Sequence, residues 1–215
     1  MKIYLTNQVN YFSKLLKELC RVPVIEYDKS QLREKKTVIE INTTKKIEDI
    51  DLGFLFGYRI FPENIMSYLT QWEHEGRRMK VGDTIVQQVY IPPVKKYSQK
   101  ILFGVRIKEV INEPIKKGFS YETLEGHVEK GISIFTIEKQ HNDNIVFVIE
   151  TFSEPATTLT KILGPIFSIP YQAYCTNLAL KNVKKILKNN DHCFFNPRNK
   201  RYPPTPIHIR HAIFV

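Results

Sequence analysis

The 215-residue chain is 42% hydrophobic and 25% charged, with 32 lysines and arginines against 22 aspartates and glutamates and a formal net charge of +10. Those fractions belong to a globular protein with one sizeable core and exclude a disordered chain, and no apolar run is long enough to span a bilayer. The positive charge is carried by basic residues spread along the chain, lysine far outnumbering arginine, with no dense basic run interleaved with aromatics, so nucleic acid is an unlikely partner.

Residues 8–20 place Val9, Phe12, Leu15, Leu16 and Leu19 on one face at helical spacing, and Pro23 stops the helix soon after. The charged stretch 30–36 reads as a loop, and TVIEINT (37–43) as a strand. Residues 49–57 are loop-like and aromatic. Over 59–72, Pro62 suits a first helical turn and Ile65, Met66, Leu69 and Trp72 share a helical face, with Gly76 as the C-cap. Glu73, His74 and Glu75 are sequence neighbours that point apart on a helix, so no metal site is expected there. Val81-Gly82-Asp83 is a turn, 84–91 a strand broken by Pro92-Pro93, 95–100 a basic loop, and 101–110 a strand with Gly104 as a bulge. Asn112-Glu113-Pro114 then turns the chain into three consecutive strands at 118–124, 131–139 and 145–153. The last of these is apolar on both parities at Ile145 to Ile149, which calls for cover on both faces. From Pro165 a long amphipathic helix runs to Lys188, and Pro170 either kinks it or marks its start. The tail from Asn189 is proline-rich and basic without a helical period.

Consecutive strands with short turns make an antiparallel sheet, and the helix that follows needs that sheet to pack on. The expected class is α+β: a curved antiparallel sheet gripping a long C-terminal helix, with an extra N-terminal helix. Three parts follow: an N-terminal extension (1–36), the sheet-and-helix domain (37–188) and the tail (189–215). The start of the chain lacks the pattern of a secretory signal, and the scattered Cys20, Cys175 and Cys193 form neither a disulfide framework nor a zinc pair. A reducing cytoplasm is the expected compartment.

The most distinctive stretch is GFSYETLEGHVEKG, residues 118–131. Two glycines, Gly126 and Gly131, bracket His127 and Glu129, with Glu125 just before. This stretch resembles the Gly-Phe-x-Tyr-x-Thr-Leu-x-Gly-His-x-Glu-x-Gly signature of a bacterial and plant family catalogued as a domain of unknown function, number nineteen-ninety. Trp72, the Val81-Gly82-Asp83 turn and Phe152-Ser153-x-Pro155 also fit, and the resemblance covers roughly 37–188. It picks out Tyr121, Thr123, Leu124, Gly126, His127, Glu129 and Gly131. Glu122 stands where a small residue is usual. Ile132 stands where many relatives have a second acidic residue, which weakens a paired-carboxylate mechanism. The family implies a START-like helix-grip fold and no established activity.

Three functions compete. The first is a cavity lined by Phe135, Phe147, Ile149, Tyr171 and Tyr174, holding an apolar or aromatic small molecule whose polar end His127 and Glu129 orient. The second is a cyclase- or hydrolase-like enzyme, with His127 as acid/base, Glu129 or Glu125 tuning it and Tyr121 as donor. The third is a basic surface for nucleic acid or membrane. No nucleophile signature, phosphate loop, metal spacing or cofactor motif is present, and the sequence sets no oligomeric state.

Overall fold

The computed structural model describes residues 2–91, 98–156 and 168–192. Its centre is an eight-stranded antiparallel sheet. The strands are β1 (Lys2–Tyr4), β2 (Arg33–Ile41), β3 (Met66–Thr70), β4 (Thr84–Ile91), β5 (Gln99–Asn112), β6 (Lys116–Thr123), β7 (Glu129–Lys139) and β8 (Ile145–Pro155). The order is β2-β8-β7-β6-β5-β4-β3, with β1 paired to β5 off this path. The helices are α1 (Phe12–Leu19), α2 (Gly53–Phe56), α3 (Gln71–His74) and α4 (Ser168–His192).

Strand alternation divides the packing between two faces. The inner face carries Ile85, Val105, Phe119, Phe135 and Phe147, which pack with Ala179, Leu180, Val183 and Leu187 of α4. On the outer face Val86 and Leu102 meet Phe12, Leu15 and Leu16 of α1. Beside that contact, Gln88 accepts from the Gln8 amide at 2.7 Å and donates to Asn7 at 3.0 Å, a satisfied network that fixes where α1 sits. Ile145 to Ile149 of β8 are buried on both parities, as the pattern required.

Several local readings change. The 59–72 helix is absent: the chain turns at Pro62, whose carbonyl accepts from Ile65, and Met66–Thr70 pairs with β4. Met66 and Tyr68 pack inward while Leu69 packs on the α1 side, a period of two that pairing with β4 imposes over helical spacing. Only Gln71–His74 is helical, and it ends as expected at Gly76, whose φ is +66° and whose amide bonds Glu73 while Arg77 bonds Trp72. Strand β2 begins at Arg33, so the charged stretch 33–36 is an edge strand and not a loop; charge is what keeps such an edge soluble. Residues 47–60 form short helical turns that bury Ile47, Phe54, Leu55, Tyr58 and Ile60. The bulge in β5 lies between Ile107 and Glu109. Gly104 instead answers close approach, since a Cβ there would lie 2.9 Å from Leu124 and 3.0 Å from Leu19. Pro170 falls in the first turn of α4, where its missing amide costs little. The helix continues to His192, four residues beyond the expected end; the remaining tail and residues 95–97 of the expected basic loop lie outside the described residues, while Gln99 and Lys100 already belong to β5.

Candidate functional site

Between β2, β6, β7, β8 and α4 lies a cavity of about 170 Å³. Its walls come mainly from one parity of each strand, with Ile132 of β7 at its edge. Tyr121 and Thr123 project from β6, Gly131, Ser133 and Phe135 from β7, and Ile149, Thr151 and Ser153 from β8. Lys35 reaches it from the edge strand, and Cys175 and Thr176 from α4.

The loop joining β6 to β7 closes one end. The segment after α1 pins it: Ile25 donates to the Thr123 carbonyl at 3.0 Å, Glu125 donates to Pro23 at 3.0 Å, and Val24 bridges Leu124. His127 then donates to the Leu124 carbonyl at 3.0 Å, closing a tight turn. Gly131 sits at φ +145°, and a Cβ there would fall 2.0 Å from the Phe152 carbonyl oxygen, so no other residue fits. Its amide donates to the Thr123 hydroxyl at 3.1 Å, tying the two strands at the cavity's mouth.

His127 is partly buried, its ring centroid 4.1 Å from that of Phe103. Nδ1 lies 2.8 Å from the Glu129 carbonyl oxygen and 3.0 Å from the Glu129 amide, so the main chain holds the ring in either tautomer. Burial pushes its pKa down to about 4, and the Glu129 carbonyl only partly opposes this. The ring is therefore neutral near pH 7, and Nε2 makes no hydrogen bond among the described residues.

Tyr121 is the second polar group of the wall. Behind it lie Tyr58, wholly buried at φ +56°, and the buried Gln87, which donates to the Tyr58 hydroxyl at 2.6 Å. Burial raises the pKa of both tyrosines.

Of the residues singled out from the sequence, the fold brings Tyr121, His127, Glu129, Phe135 and Ile149 to this one cavity. Phe147 is fully buried in the core and outside the cavity lining. Tyr174 is 44% exposed; α4 turns Cys175 and Thr176 inward in its place. The Tyr171 side chain lies outside the described residues. Glu125 is exposed, so of the two flanking carboxylates only Glu129 lines the cavity. Sequence reasoning missed the hydroxyls of Ser133, Thr151 and Ser153. The signal was there: they share strand parity with Phe135 and Ile149.

A larger groove of about 680 Å³ runs past Trp72, Arg77, Arg78 and Met79. It is open to solvent, and Arg77 is committed to Asp83 at 2.6 Å and to Glu75 at 2.6 Å. Glu73 is paired with Arg59 at 3.0 Å, so both carboxylates beside His74 are engaged. Among the described residues no three His, Cys, Asp or Glu side chains are placed to hold a metal ion, and no helix is long and apolar enough to cross a membrane.

The family profile described as a domain of unknown function (DUF1990) matches residues 54–181, more than half of the chain. The chain belongs to this family. The DUF1990 span holds Tyr58, Gln87, Tyr121, His127, Glu129 and Cys175; β1, α1 and β2 precede it. A UPF0548 protein of Deinococcus radiodurans is 29% identical over 72 residues, which are 34% of this chain and 36% of that protein. The chain thus matches about a third of the relative's length. Among solved structures, a hypothetical protein of Helicobacter pylori superposes with a TM-score of 0.50 at 10% identity, over 77% of this chain and 96% of that one. Ginseng major latex-like protein 151 superposes with a TM-score of 0.46 at 11% identity, over 72% and 97%. At such identities the likeness concerns the fold alone.

Proposed function

We propose that this protein binds a small molecule with an apolar or aromatic body in the cavity between sheet and α4, in a reducing cytoplasm. The observation that carries this is the convergence of Phe135 and Ile149 with Tyr121, His127 and Glu129 on one concave space. A START-like placement belongs to the same proposal, since helix-grip proteins of that superfamily commonly keep a cavity in this position. The cavity is small. Filled at the density of a protein interior, 170 Å³ holds a compound of roughly nine or ten non-hydrogen atoms. A catalytic acid–base role for His127 has less support, because a group titrating at about 4 is a weak proton acceptor at neutral pH.

The test is native mass spectrometry of the purified chain, followed by denaturing extraction. A reproducible bound compound of that size supports the reading and names the ligand class. A clean unliganded mass, together with no response to added small aromatic compounds, would sink it.

A further inference from the structure

Strand register arranges the cavity's side chains in rows that run across the sheet. Ile149, Phe135 and Phe119 are in-register partners on β8, β7 and β6. They make an apolar row, with the Phe119 and Phe135 rings stacked at 5.3 Å and Phe61 edge-on to Phe135 at 6.1 Å. One row nearer the β6–β7 loop, Lys35 pairs with Thr151, Thr151 with Ser133, and Ser133 with Tyr121. Four strands thus set one polar side chain each in a single row, and all four line the cavity. Alternation sorts the charges of β2. Lys36 faces the opposite side of the sheet, where it pairs with Glu150 at 3.6 Å, while Lys35 faces the cavity. Lys35 makes no ion pair among the described residues, and its row holds no carboxylate. The other charged group of the lining, Glu129, lies two rows further on, about 13 Å along β7 from Ser133. His127 is neutral near pH 7. The space is therefore graded: an apolar end, a row of hydroxyls, and an ammonium group at its open edge.

We propose that the ligand is a small aromatic carboxylate, its ring against Phe135 and Ile149 and its carboxylate over Thr151 and Ser133, where Lys35 pairs with it. This rests on the ligand-binding reading above. A carboxylate can accept from an ammonium and from hydroxyls at once, which no hydrocarbon or amine does. Lys35 is exposed, so the pair forms at the edge of the cavity, where water still reaches both ions and the cost of desolvating them stays low. Glu129, on the far side of the hydroxyl row, disfavours the reversed orientation by like-charge repulsion.

The experiment is titration of the full-length, ¹⁵N-labelled chain at pH 7 with benzoate and with its neutral and cationic isosteres, benzamide and benzamidine, followed by amide shifts. The quantity read is the ratio of benzoate to benzamide affinity, which cancels any general loosening of the cavity. Wild type should prefer benzoate to both isosteres. Lys35→Gln should lower the ratio about fivefold, the size of one partly exposed ion pair, with benzamide binding unchanged. Lys36→Gln removes the same charge from the other face of the same strand and should leave the ratio as in wild type. Both lysines are exposed, so both variants fold, and dispersed amide spectra verify it. An unchanged ratio in Lys35→Gln, an equal fall in Lys36→Gln, or a wild-type preference for benzamide or benzamidine overturns the carboxylate assignment while leaving the cavity reading standing. If none of the three compounds perturbs residues 121–135 in wild type, the cavity reading falls and this one with it.

Discussion

At the scale of the residue, His127 joins a structural role to a titration. Its imidazole is held by the Glu129 main chain and desolvated, so its folded pKa of about 4 lies below the ordinary 6.5. Between those values the unfolded chain binds a proton that the folded chain does not. The stabilisation is complete above about pH 6.5 and is lost as pH falls towards 4, amounting to at most about 3 kcal/mol. Thermal melts at pH 7 and pH 4.5 should therefore show a smaller drop for His127→Asn than for wild type; equal drops would mean that the ring is not desolvated. That His127 and Glu129 face one cavity with Tyr121 was legible, because a motif of fixed spacing between two strands places its members at one end of the sheet. That Tyr58 and Gln87 stand behind Tyr121 was not. The residues are far apart in sequence, and a buried tyrosine at positive φ leaves no local pattern.

At the scale of the element, strands were legible where β-branched and aromatic residues were dense and bounded by turn residues, as in β4, β7 and β8. They were hidden where tertiary pairing overrode a local pattern. Met66–Thr70 has helical apolar spacing after a proline, yet its amides find partners in β4. The first four residues of β2 are charged because they lie on an edge, and charge reads as loop in a linear scan. The β7–β8 pairing gives a sharp test at this scale. Gly131→Ala forces a methyl against the Phe152 carbonyl at a φ of +145°, so the start of both strands must part. The expected cost is roughly 2–4 kcal/mol in urea unfolding, and Thr123–Gly131 contact should be lost with it. A loss under about 0.5 kcal/mol, the range of a neutral surface change, would contradict the tight packing described.

At the scale of the molecule, one sheet carries two cores, and the inner cluster with α4 and the outer cluster with α1 share the same strands. They should unfold as one unit. The single tryptophan, Trp72, is buried in the inner cluster and donates to the Phe56 carbonyl at 2.9 Å, so its fluorescence reports that side. Leu16→Ala, on the other side of the sheet, should cost about 2–4 kcal/mol and move the Trp72 transition and the far-ultraviolet circular dichroism transition together. Separate transitions would show that α1 is an independent attachment. The sequence pattern foretold a sheet gripping a helix and an additional N-terminal helix; that α1 caps the face opposite α4 depends on β1 and the Gln8–Gln88 network, which no periodicity displays.

Cavity-facing hydroxyls at Ser133, Thr151 and Ser153 alternate along their strands with neighbours on the opposite face of the sheet. A serine exchanged there for alanine removes one polar group from the cavity wall, and one exchanged for threonine fills it by one methyl, each leaving strand pairing as it was. If the cavity takes a ligand as proposed, folding and recognition draw on largely different positions of the same strands. Such a scaffold would pass from one small ligand to another by single substitutions, each intermediate still folded, and the few fixed points of the journey would be the glycine at 131 and the clasped ring at 127.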